Sequence, residues 1–194
     1  MGRWQPNARG RLEQAALDLF AERGYESTTV AEIAERAGLT ERTFFRYFAD
    51  KREVLFSGSG GLTDVLATRV AEAPASLPPI EVAVGALAEA GAAYLEERRE
   101  FSRRRQAVIA TNPELREREL IKLARMASTL ADALRGRGVA EPTATLAAEA
   151  AIAAFKTAFA RWTEGGGGET LSDLTRASAD ELRAVTAAES PTRG

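Results

Sequence analysis

Apolar residues recur along most of this chain at intervals of three and four, which is the spacing of one face of an α-helix. Alanine, leucine, glutamate and arginine are frequent. Alternating runs of β-branched or aromatic residues, which are typical of strands, do not appear in the sequence. The pattern therefore predicts an all-α protein with about nine helices.

Capping residues and glycines divide the N-terminal part into short helices. A first helix is expected over residues 7–23. Thr29, followed three residues later by Glu32, forms the capping box of a second helix, which ends at Gly38. A third and unusually aromatic helix follows over residues 41–48.

The later helices are bounded mainly by proline and glycine. Asp50, with Glu53 in the box position, is expected to cap a fourth helix. The expected spans are 50–72, 80–100, from Pro113 to the glycine-containing stretch at 135–138, 143–162 and 171–185. We divide the chain into an N-terminal domain of residues 1–55 and a helical C-terminal domain of residues 56–194.

Composition narrows the class of protein. Of 194 residues, 45% are hydrophobic and 28% are charged, which is typical of soluble globular chains. No apolar run approaches the roughly 18 residues of a membrane span, so we expect a cytoplasmic protein without a membrane partner. Cysteine and histidine are absent. Because these residues supply the commonest metal ligands, nucleophiles and general bases, we expect no metal site, no cofactor and no enzymatic activity.

The stretch from Val30 to Phe48 has the spacing of a helix-turn-helix. Ala34 is small enough to let the two helices approach closely. Gly38 suits the left-handed turn between them, and Leu39 fills the corner. The second helix of such a motif lies in the major groove of DNA, with its N-terminal residues facing the bases.

Over residues 9–55 the chain resembles the TetR family of bacterial regulators. The matching pieces are Ala15-Ala16-Leu17-Asp18-Leu19-Phe20, Gly24-Tyr25, Thr28-Thr29-Val30, Ile33-Ala34, Ala37-Gly38-Leu39-Thr40, Thr43-Phe44, Tyr47-Phe48 and Lys51. The resemblance implies phosphate contacts from Thr29, Thr40, Thr43, Tyr47 and Lys51, and base contacts from Arg42 and Arg46. Phe45 replaces a tyrosine of many family members, so its ring is expected to pack against a sugar or a thymine methyl instead of binding a phosphate.

Charge gives no global indication of a nucleic-acid partner, since the formal net charge is −2. Within residues 1–55, basic and acidic residues are equal in number. Binding to DNA therefore depends on the cations being sorted to one face of this domain.

Two helical stripes in the C-terminal half suggest a homodimer. Small side chains permit the close approach of another helix, and the resemblance implies a two-fold four-helix bundle made by the last two helices. The assigned interface residues are Ala147, Ala151, Ala154, Ala158, Leu171, Leu174, Ser178 and Leu182. The alternative, that these stripes form the core of a single chain, remains open.

A ligand cavity is a further hypothesis for the C-terminal half. Its candidate lining residues are five aromatic side chains and one methionine, namely Tyr94, Phe101, Met126, Phe155, Phe159 and Trp162. The arginine cluster at residues 98–105 has two interpretations. One is a solvated helix end with local ion pairs, and the other is a site for the anionic headgroup of a ligand such as an acyl thioester.

Together these patterns predict a homodimeric transcription regulator. It is expected to bind a double-stranded palindromic operator, to act as a repressor, and to release the operator when a small hydrophobic effector binds. Two other classes remain as alternatives. They are a helical enzyme acting in the C-terminal cavity and a protein-binding adaptor that keeps the helix-turn-helix only as a fold.

Overall fold

The computed structural model describes residues 7–56, 60–165 and 168–187. Within these ranges the chain is all-α, as predicted, and contains nine α-helices and no strand. The helices are α1 (Ala8–Arg23), α2 (Val30–Arg36), α3 (Glu41–Tyr47), α4 (Gly60–Glu72), α5 (Pro79–Leu95), α6 (Arg99–Thr111), α7 (Pro113–Gly136), α8 (Thr143–Glu164) and α9 (Leu171–Thr186). No helix in the described ranges is long and apolar enough to cross a membrane.

Side-chain caps set the start of the short N-terminal helices, as the sequence predicts. The Thr29 hydroxyl accepts a hydrogen bond from the Glu32 backbone N–H at 3.2 Å, and the Glu32 carboxylate accepts one from the Thr29 N–H at 2.8 Å. This completes the capping box of α2. The Thr40 hydroxyl accepts from the Thr43 N–H at 3.2 Å and caps α3 in the same way.

The predicted helix over residues 50–72 is wrong in its first turns. The structure has a 3₁₀ turn at Arg52–Leu55, and α4 begins only at Gly60. Three consecutive side chains, Val54, Leu55 and Phe56, are buried. They pack in the core formed by α1 to α3, whereas Leu62, Leu66 and Val70 of α4 pack in a different core.

The predicted helix over residues 80–100 is also broken. Helix α5 ends at Leu95, a 3₁₀ turn covers Glu96–Arg98, and α6 begins at Arg99. The turn brings Glu96 to the start of α9, where its carboxylate accepts from the Leu171 N–H at 3.1 Å. Sequence periodicity did not predict α6, because the polar run over residues 102–106 interrupts the apolar pattern and residues 101–112 lie outside every expected helix.

The chain packs as two compact units. The first contains residues 1–60 together with 100–121, so a segment assigned by sequence to the C-terminal domain packs with the helix-turn-helix. Its core combines residues from α1 to α3 with residues of α6 and α7. The contributing side chains include Leu12, Leu17, Phe20, Ile33, Phe44, Phe48, Val108, Ile109 and Leu115.

The second unit contains residues 61–99 and 122–194. Helix α5 is its centre, packed against both α8 and α9. Most of its side chains from Val82 to Ala90 are buried, whereas Glu81 and Glu89 are exposed and Gly85 is partly exposed. The core of this unit also contains Leu66, Leu130 and Trp162.

Candidate nucleic-acid interface

The turn between α2 and α3 has the geometry of a helix-turn-helix. Gly38 has a φ of 64°, in the left-handed region that favours glycine. Its N–H donates to the Glu35 carbonyl at 2.8 Å, and the Leu39 N–H donates to the Ala34 carbonyl at 2.8 Å. Ala34 is 1% exposed, which is consistent with the close approach of the two helices.

Arg11 of α1 holds this turn from the other side. Its guanidinium donates to the carbonyl of Ala37 and, at 3.2 Å, to that of Gly38. These carbonyls lie at the C-terminal end of α2, where the helix dipole favours a cation. This contact spans 26 residues and leaves no local sequence pattern, so the role of Arg11 was not predictable.

Helix α3 has a buried aromatic face and an exposed face that carries both aromatic and basic side chains. Phe44 is fully buried, whereas Phe45 is 54% exposed and Tyr47 is 40% exposed. Arg42 and Arg46 are exposed as well. The sequence-predicted base-reading residues thus lie together on the outer face of a helix that is anchored by its other face.

The threonines assigned to phosphates lie at the starts of the two helices. Thr29 and Thr40 are exposed, and Thr43 is partly exposed. The Thr40 and Thr43 hydroxyls are 3.1 Å apart, and the Thr29 hydroxyl donates to Glu32 at 2.9 Å. A helix start that presents backbone N–H groups and hydroxyls is suited to binding a phosphate oxygen.

The two arginines of α3 differ in their surroundings. The Arg46 guanidinium lies 5.0 Å from the centre of the Tyr47 ring and donates to its hydroxyl at 3.3 Å. Arg42 has no hydrogen-bond or ion-pair partner among the described residues. Its donors are therefore available to an external acceptor.

Most acidic side chains of this unit are engaged away from α3. Four ion pairs lie within the N-terminal helices: Arg9–Glu13, Arg23–Glu32, Arg36–Glu22 and Arg52–Asp50. Three further acids bind the segment 100–121, in the pairs Asp18–Arg104, Glu53–Arg118 and Glu26–Asn112. The cations of α3 are thereby left without a carboxylate partner in the described part of the chain. The charge is only partly sorted to this face, because Glu41 of α3 is itself exposed.

Lys51 has a structural environment that the sequence did not indicate. Its ammonium donates to the carbonyls of Tyr25 at 2.7 Å and Thr28 at 3.0 Å, and lies 4.1 Å from the centre of the Tyr25 ring. Burial, with a smaller contribution from the negative charge of Glu114, raises the pKa of Tyr25 to about 12. Two of the three ammonium donors thus hold the connection that precedes Thr29, and one remains for a phosphate.

The residues proposed for a ligand cavity do not all come together. Phe101 packs with the core of the first unit, and the other five belong to the second. Phe155 and Phe159 have ring centres 6.2 Å apart, and those of Phe159 and Trp162 are 5.7 Å apart. Met126 is buried, whereas Tyr94 is 40% exposed. Among the six candidate residues, all of which lie in the described ranges, Phe155, Phe159 and Trp162 of α8 form a continuous aromatic cluster.

The residues assigned to the dimer interface lie mainly inside one chain. The four alanines of the stripe on α8, together with Leu171, Leu174 and Ser178 of α9, are at most 7% exposed, and Leu182 is partly buried. They pack in the α5, α8 and α9 core, which is the alternative that the sequence left open. The solvent-facing stripe of α8 is a different one, made of Leu146, Ala150, Ala153, Thr157 and Ala160.

The arginine cluster at residues 98–105 is engaged within the protein. Arg99 donates to the Trp162 carbonyl at 2.8 Å, and Arg103 pairs with Glu100 at 2.7 Å. Arg104 pairs with Asp18 at 2.6 Å, and Arg105 pairs with Glu119 at 2.6 Å. The pair of Arg103 with Glu100 is the expected local ion pair, whereas Arg99, Arg104 and Arg105 bind distant segments, which neither interpretation anticipated. The described residues also contain no group of acidic side chains that could hold a metal ion.

An exposed recognition helix on a helix-turn-helix, within an all-helical chain, defines a DNA-binding regulator. Residues 13–57 match the family described as bacterial regulatory proteins of the tetR family, and residues 77–187 match the MftR C-terminal domain. The chain belongs to the TetR family of bacterial transcriptional regulators.

Individual relatives agree with this assignment. The chain is 38% identical to the transcriptional regulator TcmR of Streptomyces glaucescens over 78 residues, which are 40% of this chain and 34% of that protein. It is 39% identical to the repressor KstR2 of Mycobacterium tuberculosis over 61 residues, 31% of this chain and 30% of that protein. The chain thus spans about a third of the length of these curated relatives.

Solved structures extend the likeness over the whole fold. The TetR-family regulator PfmR from Thermus thermophilus superposes with a TM-score of 0.52 at 28% identity, covering 89% of this chain and 96% of that one. FadR from Bacillus subtilis, solved in complex with stearoyl-CoA, superposes with a TM-score of 0.61 at 18% identity, with the same coverage. The second likeness shows the fold alone.

Proposed function

We propose that this regulator binds a palindromic operator as a homodimer through α3 and acts as a repressor that a small hydrophobic ligand releases. The observation that carries the DNA-binding part is the outer face of α3, where Arg42 and Arg46 are exposed and have no carboxylate partner in the described ranges. Arginine forms a bidentate pair with guanine, so these residues are suited to reading bases. The threonine caps and the third donor of Lys51 are suited to holding phosphates.

The roles of Arg42 and Arg46 are tested by operator selection. We expect Arg42→Ala and Arg46→Ala each to weaken binding to the selected operator by about 1–3 kcal/mol per half-site and to relax preference at one base pair. Affinities are measured for single-base operator variants at several salt concentrations. Thr40→Ala is the matched change at a proposed phosphate-binding position, and it should weaken binding to all operator sequences alike. If Arg42→Ala and Arg46→Ala both leave the base preference unchanged, the assignment to base edges is wrong.

The exposed stripe of α8 supports the proposed homodimer. Leu146, Ala150, Ala153, Thr157 and Ala160 follow one another at steps of four and three residues. This is the spacing of a helix–helix seam in a four-helix bundle, and small residues allow close packing. Leu146 is 64% exposed in the single chain, and Val185 of the neighbouring α9 is 83% exposed. A second copy would bury both.

The proposed effector is a hydrophobic molecule of the acyl-thioester type. Two observations support this proposal: the aromatic cluster of α8, and the fold shared with the stearoyl-CoA complex of Bacillus subtilis FadR. The test compares stearoyl-CoA, lauroyl-CoA and unacylated CoA in thermal-shift and operator-release assays. We expect stabilisation and release by the acylated forms alone. A ligand that weakens operator binding by a given factor must itself bind the operator-bound protein more weakly by the same factor. If none of the three molecules stabilises the protein or releases the operator, this ligand class is excluded.

A further inference from the structure

The second unit has an open groove that the proposed function does not use. It has a volume of about 640 Å³ and is lined by the end of α4, the outer row of α5 and one face of α9. Its volume lies in the range of small-molecule sites. None of the aromatic side chains of α8 lines it.

Gly85 forms the open floor of this groove. It lies in the middle of α5, between the exposed residues Glu81 and Glu89. A Cβ atom built at Gly85 would meet nothing within 4 Å, so neither packing nor backbone conformation requires glycine there. Glycine inside a helix is less stable than alanine by about 0.5–1 kcal/mol. The missing side chain therefore leaves space above the helix at a cost in stability.

Two of the three arginines that line the groove are already paired. Arg69 of α4 lies 3.3 Å from the carboxylates of both Glu72 and Glu89. Arg183 of α9 pairs with Glu81 at 3.4 Å and with Asp180. Every carboxylate of the groove thus already has a guanidinium partner.

Arg176 is the exception among the lining arginines. It is exposed and has no hydrogen-bond or ion-pair partner among the described residues. Leu171 packs against Gly91 and Arg183 pairs with Glu81, so α9 runs antiparallel to α5. This order places Arg176 level with the stretch of α5 between Gly85 and Glu89. Its guanidinium is the polar group of the groove that is left to recognise a ligand.

We propose that this groove binds a small organic monocarboxylate with an apolar body. The carboxylate pairs with Arg176, whose planar group suits bidentate recognition. The apolar body lies over Gly85 and the buried side chains of Ala86 and Ala179 beside it. A single negative charge is favoured over two, because four carboxylates already line the groove.

This site is separate from the proposed operator, effector and dimer surfaces. On α9, the lining residues Arg176, Asp180 and Arg183 lie on a different side of the helix from Val185, which extends the proposed dimer stripe. Failure of DNA binding therefore leaves the proposal of a carboxylate site standing, and failure of carboxylate binding leaves the proposed operator function standing.

The test measures binding of octanoate to the full chain by calorimetry and by ¹H–¹⁵N NMR shifts. Octanamide and octylamine are the neutral and cationic counterparts, and suberate is the dianion. We expect octanoate to bind and the other three to bind at least about tenfold more weakly. Shifts are expected at Gly85 and Arg176 instead of along the aromatic face of α8.

Matched variants separate the groove from general effects of charge. Arg176→Gln should reduce octanoate binding at least about tenfold, whereas Arg125→Gln, at another exposed arginine, should not change it. Gly85→Leu should block the groove while the thermal midpoint stays the same or rises, and Gly85→Ala should raise the midpoint with a smaller loss of binding. Unchanged octanoate affinity in both Arg176→Gln and Gly85→Leu, or equal binding of octanamide, would overturn the proposal.

Discussion

Arg103 and Arg105 are two residues apart on α6 but have different surroundings. Arg105 is 7% exposed. It donates to the Leu55 carbonyl at 2.6 Å and pairs with Glu119 at 2.6 Å. Its guanidinium also lies 4.7 Å from the centre of the Phe56 ring. Among the described residues, Arg103 pairs with exposed Glu100 on its own helix and with no other.

Burial predicts opposite outcomes for the removal of these two arginines. Arg105→Met leaves the Glu119 carboxylate and the Leu55 carbonyl without their donor, and should destabilise the chain by about 3 kcal/mol or more. Arg103→Met removes a solvent-screened pair, so its unfolding midpoint should match that of the unchanged chain. Urea unfolding measures both. Equal midpoints for the two variants would contradict a structural role of Arg105.

Lys51 and Arg42 form a second informative pair, because Lys51 supports the fold and Arg42 contacts no partner in the described ranges. Lys51→Met removes the donor to the Tyr25 and Thr28 carbonyls, and should cost about 1–3 kcal/mol of stability. Arg42→Ala removes a side chain without a partner among the described residues, so only operator binding should change. Urea midpoints and operator affinities are measured for both variants. A Lys51→Met chain as stable as the original would show that its hydrogen bonds are replaced by water.

Among the helices, α2 depends on a charged cap. The hydrogen bond from the Thr29 backbone, followed by that from the Thr29 hydroxyl and the charge of Arg23, lowers the pKa of Glu32 below its usual range. A lowered pKa in the folded state means that the ionised carboxylate stabilises the fold at neutral pH. This contribution is lost as the pH falls from the unfolded-state pKa through the folded-state pKa.

The isosteric change Glu32→Gln tests this pH dependence. The variant keeps an acceptor for the Thr29 N–H but carries no titrating charge. It should be less stable than the original chain at neutral pH, and the difference should shrink as the pH falls below the usual pKa of glutamate. Chemical unfolding of both chains across that pH range gives the difference between their free energies of unfolding. The contributions of the other titrating groups largely cancel in this difference. A difference that does not vary with pH would show that the charge is unimportant.

At the scale of the whole molecule, the neighbouring residues Ala153 and Ala154 allow the proposed dimer surface of α8 to be tested separately from the core of the chain. Ala154 is 3% exposed, whereas the side chain of Ala153 is exposed on the proposed dimer stripe. Ala154→Glu places a charge in the core and should unfold or strongly destabilise each chain. Ala153→Glu should instead give a folded monomer, because it places a charge in the proposed helix–helix seam.

Sedimentation combined with circular dichroism separates the two outcomes. The unchanged chain is expected to be a dimer at micromolar concentration, and Ala153→Glu a helical monomer. Lys156→Glu, at an exposed position outside the stripe, is the control and should remain dimeric. If Ala153→Glu also remains dimeric, the partner surface lies elsewhere on the molecule.

The helix-turn-helix was largely predictable because its information is local. Its features depend on residues at most a few positions apart. They are the caps at Thr29 and Thr40, the glycine turn at Gly38, and the change from buried Phe44 to exposed Phe45. Backbone geometry links such residues directly to helix starts, turns and faces. The sequence by itself therefore determined the all-α class, the motif and the exposed face of its second helix.

The tertiary structure decided what depends on contacts between distant segments. Helical periodicity predicted that the alanine stripe from Ala147 to Ala158 packs against another helix. Its packing against α5 placed that contact within the same chain. Val54, Leu55 and Phe56 pack in the core of the first unit and α4 packs in that of the second, so the fourth helix begins later than predicted. Lys51, Arg11 and Arg105 acquired their partners over 14 to 50 residues of sequence. Such partners follow from the packing of whole helices, so the pattern of neighbouring residues does not contain them.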